Sequence, residues 1–169
     1  MAEFVRCRNV RVEGIVLLDS WAWTLVFRNC ENVRVDGVRL LCERCYSTDG
    51  INPCNCRDVR IENCFVRCKD DCVSIKGLDE PSRSAPKDKS EWSPIQDITV
   101  ENCVFWSDNN NGIIVGTETR ASVIERIVFR NIDLVKCSNT CGDVAGAMAV
   151  VSLHDTELRD IIFEDIRIE

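Results

Sequence analysis

Ile95-Gln96-Asp97-Ile98-Thr99-Val100-Glu101-Asn102-Cys103-Val104-Phe105 carries apolar side chains at its first, fourth, sixth, ninth and eleventh positions, with polar residues between them except at Val104. The same pattern recurs six times, starting at Cys7, Cys30, Cys56, Ile95, Ile124 and Leu158. Aligned on these starts, the second column reads Val10, Val33, Val59, Ile98, Ile127, Ile161, and the third Val12, Val35, Ile61, Val100, Phe129, Phe163. The fourth reads Ile15, Val38, Cys64, Cys103, Ile132, Ile166, and the fifth Leu17, Leu40, Val66, Phe105, Leu134, Ile168. Between the third and fourth columns stand Gly14, Gly37, Asn63, Asn102, Asn131 and Asp165, residue types that tolerate the left-handed backbone of a bend.

Short β-branched segments repeating every 23 to 39 residues, with no helical periodicity between them, describe a solenoid of strands. One coil alone cannot bury its apolar face, but stacked coils build a continuous core. The sequence therefore predicts an all-β fold, a right-handed parallel β-helix of about six coils, occupying 1–169 as a single domain. A second strand series lies between the first: Trp23–Phe27, Gly50–Asn52, Cys72–Ile75, Gly112–Val115 and Ala147–Val150. The charged, Pro- and Ser-containing stretch 77–94 reads as a surface loop leaving the helix directly after the third of these. No polar cap is legible at either end, so the chain reads as an internal fragment of a longer protein.

Composition narrows the partners. A net charge of −7 leaves no basic patch able to offset phosphate repulsion, which argues against nucleic acid. No apolar run approaches the ~20 residues of a membrane span, and Met1–Arg6 lacks the apolar stretch of a secretory signal. The twelve cysteines would suit a disulfide scaffold, but Cys7, Cys30 and Cys56 share a column with Ile and Leu, and Cys64 and Cys103 share another. They read as small hydrophobes in an interior ladder. Disulfides stay open at Cys42, Cys45, Cys54, Cys68, Cys72, Cys137 and Cys141, near bends and loops. Cys42 and Cys45 have no second thiol pair at zinc-site spacing, and His154 is the one histidine, so no metal site is assigned.

The second strand series puts Asp49, Asp71 and Asn111 in one column, two residues before Ile51, Val73 and Ile113, with Asp70 preceding Asp71. Three carboxylates gathered on a rigid surface repel one another, a cost that points to sugar hydrolysis or metal binding. Taken singly, each is also the residue type that satisfies backbone amides at a solenoid corner. An inverting glycosidase needs one protonated carboxyl group for the leaving oxygen and an opposing carboxylate to deprotonate water, and crowding raises the proton affinity of one group.

The motifs Asp19-Ser20-Trp21-Ala22-Trp23, Ser47-Thr48-Asp49-Gly50-Ile51 and Asp70-Asp71-Cys72, in that order and spacing, resemble glycoside hydrolase family 28, the polygalacturonase-like β-helices, over roughly Asn9 to Ile168. The resemblance implies an inverting hydrolase of a polysaccharide or oligosaccharide that needs no cofactor, with Asp70 as general acid and Asp49 and Asp71 as the pair that holds and activates water. It also implies a carbohydrate substrate and a monomeric full-length protein, secreted or periplasmic. Two positions depart from the family. Its Gly-His-Gly reads Asn110-Asn111-Gly112, and its Arg-Ile-Lys falls on Met148-Ala149-Val150. Asn111 can hydrogen-bond a sugar but cannot carry charge, and the loss of both cations makes a neutral or differently charged glycan a better substrate than polygalacturonate. Trp92, Lys76, Arg120 and His154 are further candidates for holding the sugar, Trp92 as a stacking platform. A lyase holding Ca²⁺ on the aspartates and a non-catalytic glycan-binding or structural β-helix are the competing readings.

Overall fold

The computed structural model describes residues 1–78, 88–137 and 146–169. Its strands in chain order are β1 (Ala2–Val5), β2 (Arg8–Glu13), β3 (Val16–Leu18), β4 (Leu25–Arg28), β5 (Glu31–Asp36), β6 (Arg39–Cys42), β7 (Ile51–Cys54) and β8 (Arg57–Glu62). They continue with β9 (Phe65–Cys68), β10 (Val73–Ile75), β11 (Ile95–Ser107), β12 (Ile113–Thr117), β13 (Val123–Cys137), β14 (Met148–Ser152) and β15 (Glu157–Ile168). Every pairing is parallel, and each strand lies on its counterpart one coil away. The chain is a right-handed parallel β-helix. The 3₁₀ turn Lys89–Glu91 is the single helical element described, and among the described residues no helix is long and apolar enough to cross a membrane.

One sheet runs β1-β4-β7-β10-β12-β14. The rest of each coil is a pair of strands, such as β5 and β6, which fuse into one long strand in β11, β13 and β15. The apolar columns of the sequence are the register of these sheets: Val10 pairs Val33, Val33 pairs Val59, and Val59, Ile98, Ile127 and Ile161 follow in turn. Leu25, Ile51, Val73, Ile113 and Met148 form the matching column of the first sheet. These side chains fill one continuous core, and burying each contributes about 1.5–3 kcal/mol.

The bends have a common backbone. Gly14, Gly37, Asn63, Asn102, Asn131 and Asp165 all have φ between +51° and +61°. A second column not evident from composition, Asn9, Asn32, Asp58, Asp97, Arg126 and Asp160, does the same at the start of the long strands. Asn side chains then bond coil to coil at these corners, Asn32 to Asn9 and Asn131 to Asn102, each at 2.7 Å. On the outer face the carboxylates of Glu62 and Glu101 each receive two arginines, Arg34 and Arg60 on the first, Arg60 and Arg130 on the second. Single exposed pairs of this kind are worth little, but a ladder penalises a slip of register.

The eleven described cysteines are free thiols, and Cys141 lies outside the described residues. Cys42, Cys54, Cys68 and Cys72, assigned from sequence to bends where disulfides stayed open, are fully buried. Their thiols donate to carbonyls such as Leu17 O, or, for Cys68, to Asp70 O at 3.1 Å. Most of the expected loop at 77–94 also falls outside the described residues. Its first residues do not face solvent: Leu78 is buried against Trp23, Val26 and Cys54 on the outside of the first sheet.

Glycine positions differ sharply in what they tolerate. At Gly116, φ is +101° and an added Cβ would lie 1.8 Å from the carbonyl oxygen of Val151, whereas at Gly14, φ is +61° with open space around it. We expect Gly116→Ala to destabilise by roughly 3 kcal/mol or more by breaking the β12–β14 pairing, and Gly14→Ala by about 1 kcal/mol. The urea-unfolding midpoints of the two variants test this order.

Candidate functional site

The corner that enters the first sheet is built from stacked turns: 19–24 before β4, 43–50 before β7, 69–72 before β10 and 108–112 before β12. Parallel bonding fixes them on one another. The Gly50 N–H donates to Asp71 O at 2.8 Å, and the Cys72 N–H to Asn111 O at 3.1 Å. Gly50 is required there, because a Cβ would come within 2.4 Å of the Cys72 carbonyl and the Val66 side chain. Asp49, Asp71 and Asn111 therefore stack in one column, with Asp70 beside them.

Asp49 is 1% exposed. Its Oδ2 accepts from Asn52 Nδ2 at 3.0 Å and lies 3.4 Å from Lys76 Nζ, while its Oδ1 has no hydrogen-bond partner among the described residues. Burial pushes its carboxyl well above the usual carboxylate range. Lys76 opposes that push, and the charges of Asp70 and Asp71 add to it. Asp71 is pushed up to about 7, again chiefly by burial, with Lys76 and the backbone N–H of Asn111 pulling down and Asp70 and Glu118 pushing up. Desolvation, more than the crowding emphasised by the sequence, gives these groups their proton affinity. Asp70 is half-buried at the edge, and its Oδ1 accepts from Asn110 Nδ2 at 2.6 Å and from the Asp71 N–H at 3.1 Å.

Lys76 was placed by sequence among sugar-binding residues, but it is only 3% exposed. It directly follows β10, bridging to Cys54, and its ammonium reaches back to Asp49, lies 3.8 Å from Glu118 Oε2, and sits 4.2 Å over the Trp23 ring. Burial alone would lower its pKa, but Asp49, Glu118 and Asp71 outweigh that and raise it, so it is a permanent cation. Arg28 approaches the same Trp23 ring, at 5.3 Å. Asn111 is buried, with its Nδ2 donating to Gly146 O at 2.6 Å.

Trp92, Arg120 and His154 stand apart from this corner. Each is half-buried on a segment that leaves the first sheet rather than one that enters it. The Arg120 N–H donates to Gly77 O at 3.0 Å, and Lys89 lies 5.6 Å over Trp92 while pairing with Asp155, next to His154, at 2.7 Å. Sequence reasoning missed Asn52, Asn110, Glu118 and the packing of Trp23. The one signal for Asn52 was a polar residue inside the buried strand Ile51-Asn52-Pro53-Cys54, and Ser74 repeats it in the next coil. The Oγ of Ser74, the Oδ1 of Asn52 and the Oγ1 of Thr24 are buried without a hydrogen-bond partner among the described residues, a cost of about 1–3 kcal/mol each. Among the described residues no group of three His, Cys, Asp or Glu side chains is placed to hold a metal ion. The charge that balances the carboxylates is the Lys76 ammonium.

The sequence profile of Glycosyl hydrolases family 28 matches residues 1–83. A "Probable polygalacturonase" of Arabidopsis thaliana is 30% identical over 153 residues, covering 80% of this chain and 34% of that protein. A "Probable polygalacturonase" of Vitis vinifera is 34% identical over 82 residues, covering 47% of this chain and 17% of that protein. The chain thus spans about a third or less of the length of these relatives. Among solved structures, the hyperthermoactive exopolygalacturonase from Thermotoga maritima superimposes with a TM-score of 0.72 at 20% identity, over 98% of this chain and 43% of that one. The family 28 exopolygalacturonase of Yersinia enterocolitica gives 0.62 at 14% identity, over 95% and 33%. At such identities the structures speak for the fold, and the profile and the plant sequences speak for the family. Residues 1–83 match glycosyl hydrolases family 28, and the chain is a polygalacturonase-like parallel β-helix.

Proposed function

We propose that this chain carries the acid–base centre of a glycoside hydrolase that cleaves a polysaccharide or oligosaccharide with inversion. The observation that carries the proposal is the stacking of Asp49 and Asp71 on adjacent coils around the buried Lys76 ammonium, with Asp70 at the rim. In this reading Asp70 protonates the leaving oxygen, since it alone of the three is half-buried and within reach of a bound sugar. Asp49 and Asp71 hold and deprotonate the attacking water, and the unpartnered Oδ1 of Asp49 suits an acceptor for that water. Lys76 keeps a negative charge affordable on the buried pair.

The substrate follows from what adjoins the column on the other side. Met148, Ala149 and Val150 pair with Ile113, Ile114 and Val115, so no cation faces the sugar from β14. A uronate carboxylate there would be desolvated without a partner. The sugar bound against β14 is therefore neutral, and polygalacturonate is a poor substrate.

Three measurements on the full protein test this. Asp70→Asn is expected to cut reducing-end release by about 10³-fold while leaving the circular dichroism spectrum unchanged. Unchanged release would remove Asp70 from the chemistry. If Asp71 must be ionised to activate water, kcat/KM rises with pH through about 7, and Asp71→Asn removes that limb. A rate that falls through the same pH would make Asp71 the proton donor instead. On a glycan panel, neutral polymers are expected to outpace polygalacturonate, and unsaturated products requiring Ca²⁺ would point to a lyase.

A further inference from the structure

The buried Lys76 ammonium is held by two carboxylates in unlike surroundings. Asp49 Oδ2 lies 3.4 Å away on a side chain 1% exposed, and Glu118 Oε2 lies 3.8 Å away on a side chain 55% exposed. The run Gly116-Thr117-Glu118-Thr119 brings the second one there. β12 lies on β10 with Val115 opposite Ile75, so Gly116 follows beside Lys76. The backbone then turns through two left-handed residues, Gly116 at φ +101° and Thr117 at φ +57°. That conformation is strained for a β-branched residue, and its neighbours hold it. Thr119 Oγ1 accepts from the Gly77 N–H at 2.8 Å and donates to Gly116 O at 2.8 Å, which ties the turn to the residue after Lys76. Thr117 Oγ1 lies 2.9 Å from Glu118 Oε2, the oxygen that faces Lys76. The approach of Glu118 is therefore built into the turn.

Among the described residues, the carboxylates that face Lys76 and Asp71 are Asp49 from the turn before β7, Asp70 from the turn before β10 and Glu118 from the turn after β12. Arg28 on β4 shares the Trp23 ring, and its own charge is met by Glu3 at 2.5 Å. The nearby thiols of Cys54, Cys68 and Cys72 stay neutral, because burial pushes all three up, Cys54 to about 12. Asn111 adds one backbone N–H, which donates to Asp71 Oδ1 at 3.3 Å. At 3.8 Å Glu118 is beyond hydrogen-bond reach of the ammonium and acts through its charge. An ammonium that faces two carboxylates has its field partly cancelled for everything else around it. Glu118 accordingly pushes up the Asp71 carboxyl that Lys76 pulls down.

We propose that Glu118 is a positioning residue of the acid–base centre: by sharing the Lys76 ammonium with Asp49, it limits how much of that positive charge reaches Asp49 and Asp71. The inference rests on the glycan-hydrolase reading and deepens it. Glu118 touches no reacting atom and works through Lys76. Because it faces solvent while the Lys76–Asp49 pair is sealed, its share of the balance responds to salt and theirs does not.

The test follows the Asp71 carboxyl carbon by carbon-13 NMR in the full protein with labelled aspartate, the signal being assigned by its absence from Asp71→Asn protein. The titration midpoint of about 7 is expected to fall by about half to one pH unit in Glu118→Gln protein, which keeps the shape and loses the charge. At about 1 M salt, where the Debye length is ~3 Å, the two proteins are expected to converge. An unmoved midpoint, or a gap that salt leaves open, overturns the proposal. A second measurement needs no change at Glu118. In Asp70→Asn protein, where Glu118 is the solvent-facing carboxylate left of those named, the midpoint is expected to fall as salt is raised, and a midpoint that does not fall overturns the proposal. Turnover is read separately. The rising limb of kcat/KM is expected to move with the midpoint, a gain of roughly three- to tenfold well below it in Glu118→Gln protein. A moved midpoint with no turnover of any glycan keeps the charge balance and rejects the hydrolase. Turnover whose limb ignores Glu118→Gln keeps the hydrolase and rejects the role of Glu118.

Discussion

The register in which each coil lies on the next is the constraint on which everything else in this molecule depends. Parallel pairing places side chains of the same coil position ~4.8 Å apart, so any residue type repeated in sequence becomes a line in space. Apolar lines make the core, Asn and Gly lines make the bends, and Arg and Glu lines make an outer ladder. Asp49 and Asp71 are such a line of two. Their proximity is imposed by the backbone of two coils, and it would persist only while those coils keep step. A slip of one residue would turn the apolar columns outward and separate the carboxylates in the same movement.

Holding those carboxylates is expensive. A buried charge pair gains less from attraction than it loses in desolvation unless its geometry is good and its remaining atoms are bonded. At Asp49 one oxygen is bonded by Asn52 and Lys76 and the other is not, so the site is held below its best stability. The surroundings supply the stiffness to keep it so. Gly50 fits under the Cys72 carbonyl with no space for a methyl group, and Trp23 sets a ring face against the ammonium of Lys76. The unsatisfied Asn52 and Ser74 belong to the same strip of strained polarity, on a sheet face otherwise occupied by Val26, Ile114 and Leu78.

Much of this was legible in the sequence because a solenoid writes its geometry directly as a repeat. The columns headed by Val10, Val12 and Leu17 could be aligned by eye, and the alignment carried Asp49 into line with Asp71. What was not legible depends on how far a side chain reaches once the coils are stacked. Lys76 points along the sheet face to Asp49 instead of into the groove, and a long flexible stem gives no sign of that in sequence. Arg126 occupies a left-handed bend that its neighbours in the column fill with Asn or Asp, and its pairing with Asp97 shows what retains it there. The shift of register between Phe105 and Trp106, where β13 holds one more residue than β11, leaves no mark in the apolar pattern. Exposure was hidden too: Trp21 and Trp23 are alike in sequence and opposite in burial.

The corners and the strands tolerate different kinds of change. The interval between successive core starts grows from 23 residues at Cys7–Cys30 to 39 at Cys56–Ile95, yet the sheets on either side of the longer interval pair without interruption. Residues added at a bend leave the ladder untouched, because each coil answers only to its immediate neighbours. Such a molecule is modular in its inheritance. Its surface can be rewritten one turn at a time, by lengthening a corner, while the strands on either side keep the same neighbours.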